Sequence, residues 1–244
     1  ALATLLAGGY LREHVLERGE MYLLLLFSAL GGMVLARAVD ILTVFIGLET
    51  LSLGVYAMVA FRRTSAAAVE GAMKYFLLGS FGAAILLFGM ALLYGATGHT
   101  DFAGIGAAIA SGDANLDLLV PALPLVIVGI AFKVSAFPFH MWTPDAYEGA
   151  VSPATVFMSV VVKSAAFALM LRVLVGVFGS DLVANARTGW PFVIATLAVL
   201  SMLYGNIAAM QQTSIKRMLA YSSIAHAGYA MLGVASAHAA GETA

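Results

Sequence analysis

A chain of 244 residues that is 62% hydrophobic and only 10% charged, with a mean hydropathy of +0.98, is not a soluble globular domain, where charged residues make up about 25%. The formal net charge of −1 excludes a polybasic nucleic-acid surface. With no cysteine and no histidine cluster, nothing suggests a disulfide framework, an iron–sulfur cluster or a zinc site, so any redox centre is expected on another chain.

In chain order, the opening run from Ala1 to Tyr10 falls short of the ~20 helical residues that cross ~30 Å of hydrocarbon, and it reads as the tail of an earlier helix. It begins without Met and without the charged start of a signal peptide, so the chain is expected to be a piece of a longer protein. Seven apolar segments follow, at approximately 20–38, 40–61, 71–94, 118–139, 153–178, 190–210 and 218–238, each near a membrane-crossing length. The predicted fold is an all-α, polytopic transmembrane helix bundle. Counting alternate sides, Arg12, Arg18, Arg62, Arg63, Lys216 and Arg217 share one side, while Arg37, Arg172 and Arg187 fall on the other. The richer side is expected to face the cytoplasm. The connection from Gly95 to Asp117 holds Asp101, Asp113 and Asp117 but no Lys or Arg, which fits the outside.

Four ionisable residues, Glu49, Lys74, Lys133 and Lys163, lie inside the apolar segments. A charge at a helix centre costs roughly 2.5 to 3.5 kcal/mol on insertion scales, and such residues usually mark ion or proton pathways. Burial disfavours a lysine's charged form, whereas a carboxylate nearby favours it. At ~8 Å and an effective dielectric of ~20, one opposite charge is worth about 2 kcal/mol, enough to put a proton on a lysine or take it off. Movement of Glu49 relative to Lys74 or Lys133 would therefore alter proton affinity along a row of Lys133, His140 and Lys163, in which an imidazole, with an unperturbed pKa of about 6.5, suits a shuttle.

The most irregular stretch is AFKVSAFPFHMWTPDAYEGAVSP, residues 131–153. Pro138 removes a backbone donor and blocks the carbonyl of Val134, so a broken helix is predicted, with a packing kink as the bland alternative. Broken backbone at membrane depth persists only where protein or water satisfies it. Ser152 as N-cap and Pro153 at the first helical position are expected to restart the helix that carries Lys163. Lys133 and His140, seven residues apart, would share a face only if the helix were continuous.

Four stretches, GLETLSLGVYAMVAF (47–61), EGAMKYFLLGSFGAAILLFGMALLYGATG (70–98), residues 131–153, and IKRMLAYSSIAHAGYAMLG (215–233), resemble the antiporter-like subunits of respiratory complex I, and in particular the subunit N type of NADH-quinone oxidoreductase. The WTPDAYEGA-like part is shared with sodium/proton antiporter and membrane-hydrogenase subunits. The resemblance implies inverted repeats of five-helix bundles, each with a broken helix. The chain would then divide into a tail and loop at 1–19, one complete bundle at 20–178 and the start of its partner at 179–244. It also implies proton-relay roles for Glu49, Lys74, Lys133, His140, Lys163 and Lys216. By the same resemblance the chain holds no cofactor, because NADH, FMN, iron–sulfur clusters and quinone would be bound by other subunits. Its partners would be neighbouring complex I membrane subunits and the lipid bilayer of a bacterial inner membrane, with no nucleic acid.

Blander readings stand beside these. Glu49 as a structural ion pair, Lys74 snorkelling to the interface, His140 satisfying the broken backbone, and Lys216 with Arg217 as topology signals all need no transport. Arg172 reads as an interfacial anchor, Trp142 and Trp190 as an aromatic belt, and the glycines of 71–98 with Ser80 as close-packing positions. A monovalent cation/proton antiporter and a non-conducting membrane scaffold are the competing functions. The first predicts sodium dependence, and the second predicts that neutralising Glu49 lowers assembly without altering pumping.

Overall fold

In a computed structural model the residues described are 2–16, 18–185 and 188–241; Ala1 and Arg187, used in the readings above, lie outside them. The chain runs α1 (Leu2–Glu13), α2 (Glu20–Arg37), α3 (Ile41–Val59), α4 (Ala66–Thr97), α5 (Phe102–Ser111), α6 (Leu116–Val134) and α7 (Thr143–Gly149). One rod from Ser152 to Val177 then comprises α8 (Ser152–Phe157), a π-helical stretch at Met158–Val162, α9 (Lys163–Leu171) and a second π-helical stretch at Arg172–Val177. The short α10 (Asp181–Ala184) leads to α11 (Trp190–Met210) and α12 (Ile215–Gly241).

Among the described residues, six helices are long and apolar enough to cross a membrane, not seven. The difference is α12, whose 27 residues include Lys216, Arg217, Ser222, Ser223 and His226. Large apolar side chains such as Leu23, Phe27, Phe81, Phe88 and Leu203 face outwards, a pattern suited to lipid and not to water.

Local signals explain where the helices stop and start. Asp40 caps α3 by accepting from the backbone N–H groups of Leu42 and Thr43, at 2.8 and 3.3 Å. Burial pushes its carboxyl up, but hydrogen bonds from Thr100, Leu42 and Thr43 outweigh this and hold it below the usual carboxylate range. Ser65 caps α4, which ends at Gly98 with φ 73°. The expected loop after it contains α5, and the Ile41 N–H to Thr100 carbonyl and Phe102 N–H to Val39 carbonyl bonds (3.0 and 2.8 Å) tie that segment to the α2–α3 turn. Arg172, expected as an interfacial anchor, donates to the Ala38 carbonyl at the same turn (3.1 Å). Ser152 is not the cap of α8: Val151 holds that position without a side-chain bond, and Ser152 and Pro153 lie in the first turn.

Helices approach closely where glycines meet backbone. A Cβ on Gly31 of α2 would collide with the backbone N of Leu51 on α3, and one on Gly47 of α3 would sit 2.7 Å from the backbone N of Leu35. In α4, Gly71 faces the Asp145 carbonyl and Gly79 faces the Tyr56 hydroxyl, so those glycines pack as expected, whereas Ser80 is exposed. The two tryptophans do not form an interface belt. Trp142 and Trp190 are fully buried, and their indole N–H groups donate to the carbonyls of Phe132 and Phe178 at 3.2 and 2.8 Å.

Candidate functional site

The helix break lies where residues 131–153 predict one, but it begins before Pro138. α6 ends at Val134, and Ser135 takes the left-handed conformation at φ 66°. The Ser135 and Ala136 N–H groups close the end onto the Phe132 and Ala131 carbonyls (3.1 and 2.9 Å). The Phe137–Pro138 peptide is cis. Protein groups satisfy the irregular backbone: Phe137 N–H donates to Ser201 Oγ of α11 (2.9 Å), Trp142 reaches the Phe132 carbonyl, and the Thr143 hydroxyl donates to Ser135 Oγ (2.8 Å).

Lys133 sits on the last turn of α6 with 3% of its surface exposed. Its ammonium donates to Ser52 Oγ at 2.6 Å and lies 5.7 and 5.6 Å from the ring centres of Tyr56 and Tyr75. Ser52 in turn donates to the Leu48 carbonyl. Glu49 lies one turn before Ser52 on α3, and its Oε1 is buried without a hydrogen-bond partner. The structure therefore brings Glu49 and Lys133 to one helix face through a serine, with no hydrogen bond between the carboxylate and the ammonium.

Lys163, on the residue that follows the first π-helical stretch, donates to the carbonyl and hydroxyl oxygens of Ser223 on α12, at 2.7 and 2.5 Å. His140 is 7% exposed in the break, with Nδ1 unpartnered. Its ring lies between Phe137 and Tyr204, 5.5 and 4.6 Å between centres. Among the described residues no hydrogen bond links Lys133, His140 and Lys163, so the predicted row is three separate stations.

Lys74 is placed differently from the other lysines. Its side chain is 43% exposed on α4, 2.6 Å from both Glu70 and Asp145. Asp145 of α7 also accepts from Arg217 of α12 at 2.6 Å. Lys216 donates to the Ala150 carbonyl (2.9 Å), and Ser214 donates to Glu148 (2.6 Å). The basic pair at 216–217 thus clamps the start of α12 to α7, a role that positive-side topology alone does not describe.

Four partners escape the sequence reading: Ser52, Ser223, Asp145 and Glu148. Ser52 stands three residues after Glu49, a spacing that puts both on one helix face and so was a usable signal. Asp145 and Glu148 stand inside the WTPDAYEGA-like stretch, and Ser223 inside the 215–233 stretch, but neither stretch shows which side chain each of them meets.

The family described as NADH:quinone oxidoreductase/Mrp antiporter, TM, matches residues 38–244. The chain is 61% identical over 248 aligned positions to a protein of Sorangium cellulosum named NADH-quinone oxidoreductase subunit N 1, covering 100% of this chain and 49% of that one. It superposes on a chain of respiratory complex I from Thermus thermophilus with bound aureothin at a TM-score of 0.74 and 42% identity, over 89% of this chain and 45% of the other. A chain of the membrane-bound sulfane sulfur reductase, an archaeal respiratory membrane complex, gives a TM-score of 0.77 at 33% identity, over 88% and 42%. The chain spans about half the length of the relatives it matches.

Proposed function

This chain belongs to the NADH:quinone oxidoreductase/Mrp antiporter transmembrane family, and on that premise we propose that it is part of a membrane subunit of a proton-pumping NADH-quinone oxidoreductase. In that reading Glu49, Lys133, His140 and Lys163 relay protons, while Lys74 and Lys216 join the relay at the α7 clamp. Electron transfer from NADH to quinone takes place on other subunits, which carry the FMN and iron–sulfur clusters. Neighbouring antiporter-like and small membrane subunits flank the chain in a bacterial inner membrane, and the loops with Arg62, Arg63, Lys216 and Arg217 face the cytoplasm.

The observation that carries the reading is the Lys133 ammonium, enclosed by protein and held by a neutral hydroxyl, with the Glu49 carboxylate oxygen open one turn away. A structural ion pair would join the two directly. Here the carboxylate stands ready to favour the charged lysine without being committed to it. Water molecules bridging the gaps between stations would complete the relay, at little energetic cost relative to direct bonds.

The 61% identity to a relative named as subunit N weighs for this reading over a cation/proton antiporter. The expected result is that NADH-driven acidification by membranes carrying the full-length parent complex persists when sodium is replaced by choline. Loss of acidification without sodium would instead establish the antiporter reading.

A further inference from the structure

Lys133 is enclosed in the interior, and a buried ammonium without partners costs several kcal/mol. Among the described residues its hydrogen-bond partner is a single hydroxyl, that of Ser52, itself fully buried. Glu49, the one carboxylate on this stretch of α3, keeps an oxygen free only one turn away. Side chains three residues apart on a helix have Cβ atoms about 5 to 6 Å apart, so the hydroxyl that holds the ammonium is a neighbour of the carboxylate on the same face of α3.

The chemistry of the two acceptors differs. A carboxylate only accepts hydrogen bonds, so it stabilises the charged lysine and opposes release of its proton. A hydroxyl both donates and accepts: it can take an N–H from the ammonium or turn its hydrogen to the lone pair of the neutral amine. Here that hydrogen goes to the Leu48 carbonyl while the ammonium is bound, so on loss of the lysine's proton it turns from Leu48 to the amine, and one partner serves both protonation states without moving the lysine. A serine hydroxyl also meets Lys163, where Ser223 adds its backbone carbonyl as a second acceptor.

We infer that Ser52 is a positioning residue for proton transfer: its hydroxyl holds Lys133 in either protonation state and keeps it from closing into a permanent ion pair with Glu49. Ser52 is not a catalytic residue; it acts through Lys133. The inference deepens the transport reading above and rests on it.

The test uses the full-length parent complex with Ser52→Ala, Ser52→Thr, Ser52→Val and Lys133→Ala, each scored as NADH-driven proton translocation per assembled complex. Thr and Val have nearly the same shape and differ by the hydroxyl, so a packing role treats them alike. Ser52→Ala removes only the oxygen and disturbs packing least. Translocation is expected to fall about tenfold or more in the Ala and Val variants, less than the roughly 10²-fold that full loss of a proton-transfer group costs because Lys133 itself remains, and to recover to within about twofold in Thr. Equal translocation in all three Ser52 variants overturns the inference, as does a parallel loss in Thr and Val. If Lys133→Ala loses translocation while Ser52→Val retains it, only the positioning role fails. If Lys133→Ala itself pumps normally, the relay reading fails with it.

Discussion

Lys133→Ala in the full-length parent complex is expected to lower NADH-driven proton translocation at least about tenfold with the complex still assembled, since a positioned proton-transfer group contributes roughly 10²- to 10⁴-fold. Assembly should survive for a specific reason. Among the described residues Lys133 makes one hydrogen bond, to Ser52, and that hydroxyl still donates to the Leu48 carbonyl; the buried Glu49 carboxylate loses a neighbouring charge but no hydrogen bond. Removing a buried cation also removes its desolvation cost, which offsets part of the packing lost with the alkyl stem. Native-gel quantification of the complex beside acidification of proteoliposomes separates the two effects. Translocation at the level of the unsubstituted complex would remove Lys133 from the proton path.

The largest structural effect is expected at the α2–α3 contact. Gly31→Leu would drive a side chain into the α3 backbone, where a Cβ alone already overlaps Leu51 N and lies 2.8 Å from the Thr50 carbonyl carbon. Backbone cannot rotate aside as a side chain can, so α2 must move off α3, at a cost of about 3 kcal/mol or more. Thr50 and Leu51 lie between Glu49 and Ser52, so the displacement reaches the residues that hold Lys133. A several-fold lower yield of assembled complex and an earlier thermal transition are expected. Gly9→Ala, where nothing lies within 4 Å, serves as the comparison and should leave both unchanged. Normal assembly of Gly31→Leu would show that the two helices do not pack this closely.

Much of this arrangement was legible in the residues. Hydrophobic runs located the long helices to within a few positions, because a membrane-crossing stretch needs no partner to be recognised. The helix break was visible in Pro138 and the irregular sequence around it. Its starting point was not, since the turn is set by Ser135 in a left-handed conformation at the end of α6. The buried charges were visible as residue types out of place. Their partners were not, because which side chain meets Lys133 or Lys163 depends on how α6, α9 and α12 are rotated against their neighbours. The tryptophans illustrate the same limit: their usual interfacial preference gave way to burial, with indole hydrogen bonds to the carbonyls of Phe132 and Phe178. Lys74 and Arg217 looked like independent charges on separate helices, yet both close on Asp145.

The claim that these buried charges move protons, and do not merely hold helices together, is tested most directly at Glu49. Glu49→Gln keeps the size and shape of the side chain and removes its charge, exchanging one carboxylate oxygen for an amide NH2, and Oε1 has no hydrogen-bond partner to lose. Proton translocation per NADH oxidised should be measured in proteoliposomes of the full-length parent complex, normalised to assembled complex. The account predicts that assembly is unchanged and that translocation falls several-fold, because the lysine row loses the negative charge that sets its proton affinity. Reduced assembly with unchanged translocation per assembled complex would contradict it and make Glu49 a structural residue.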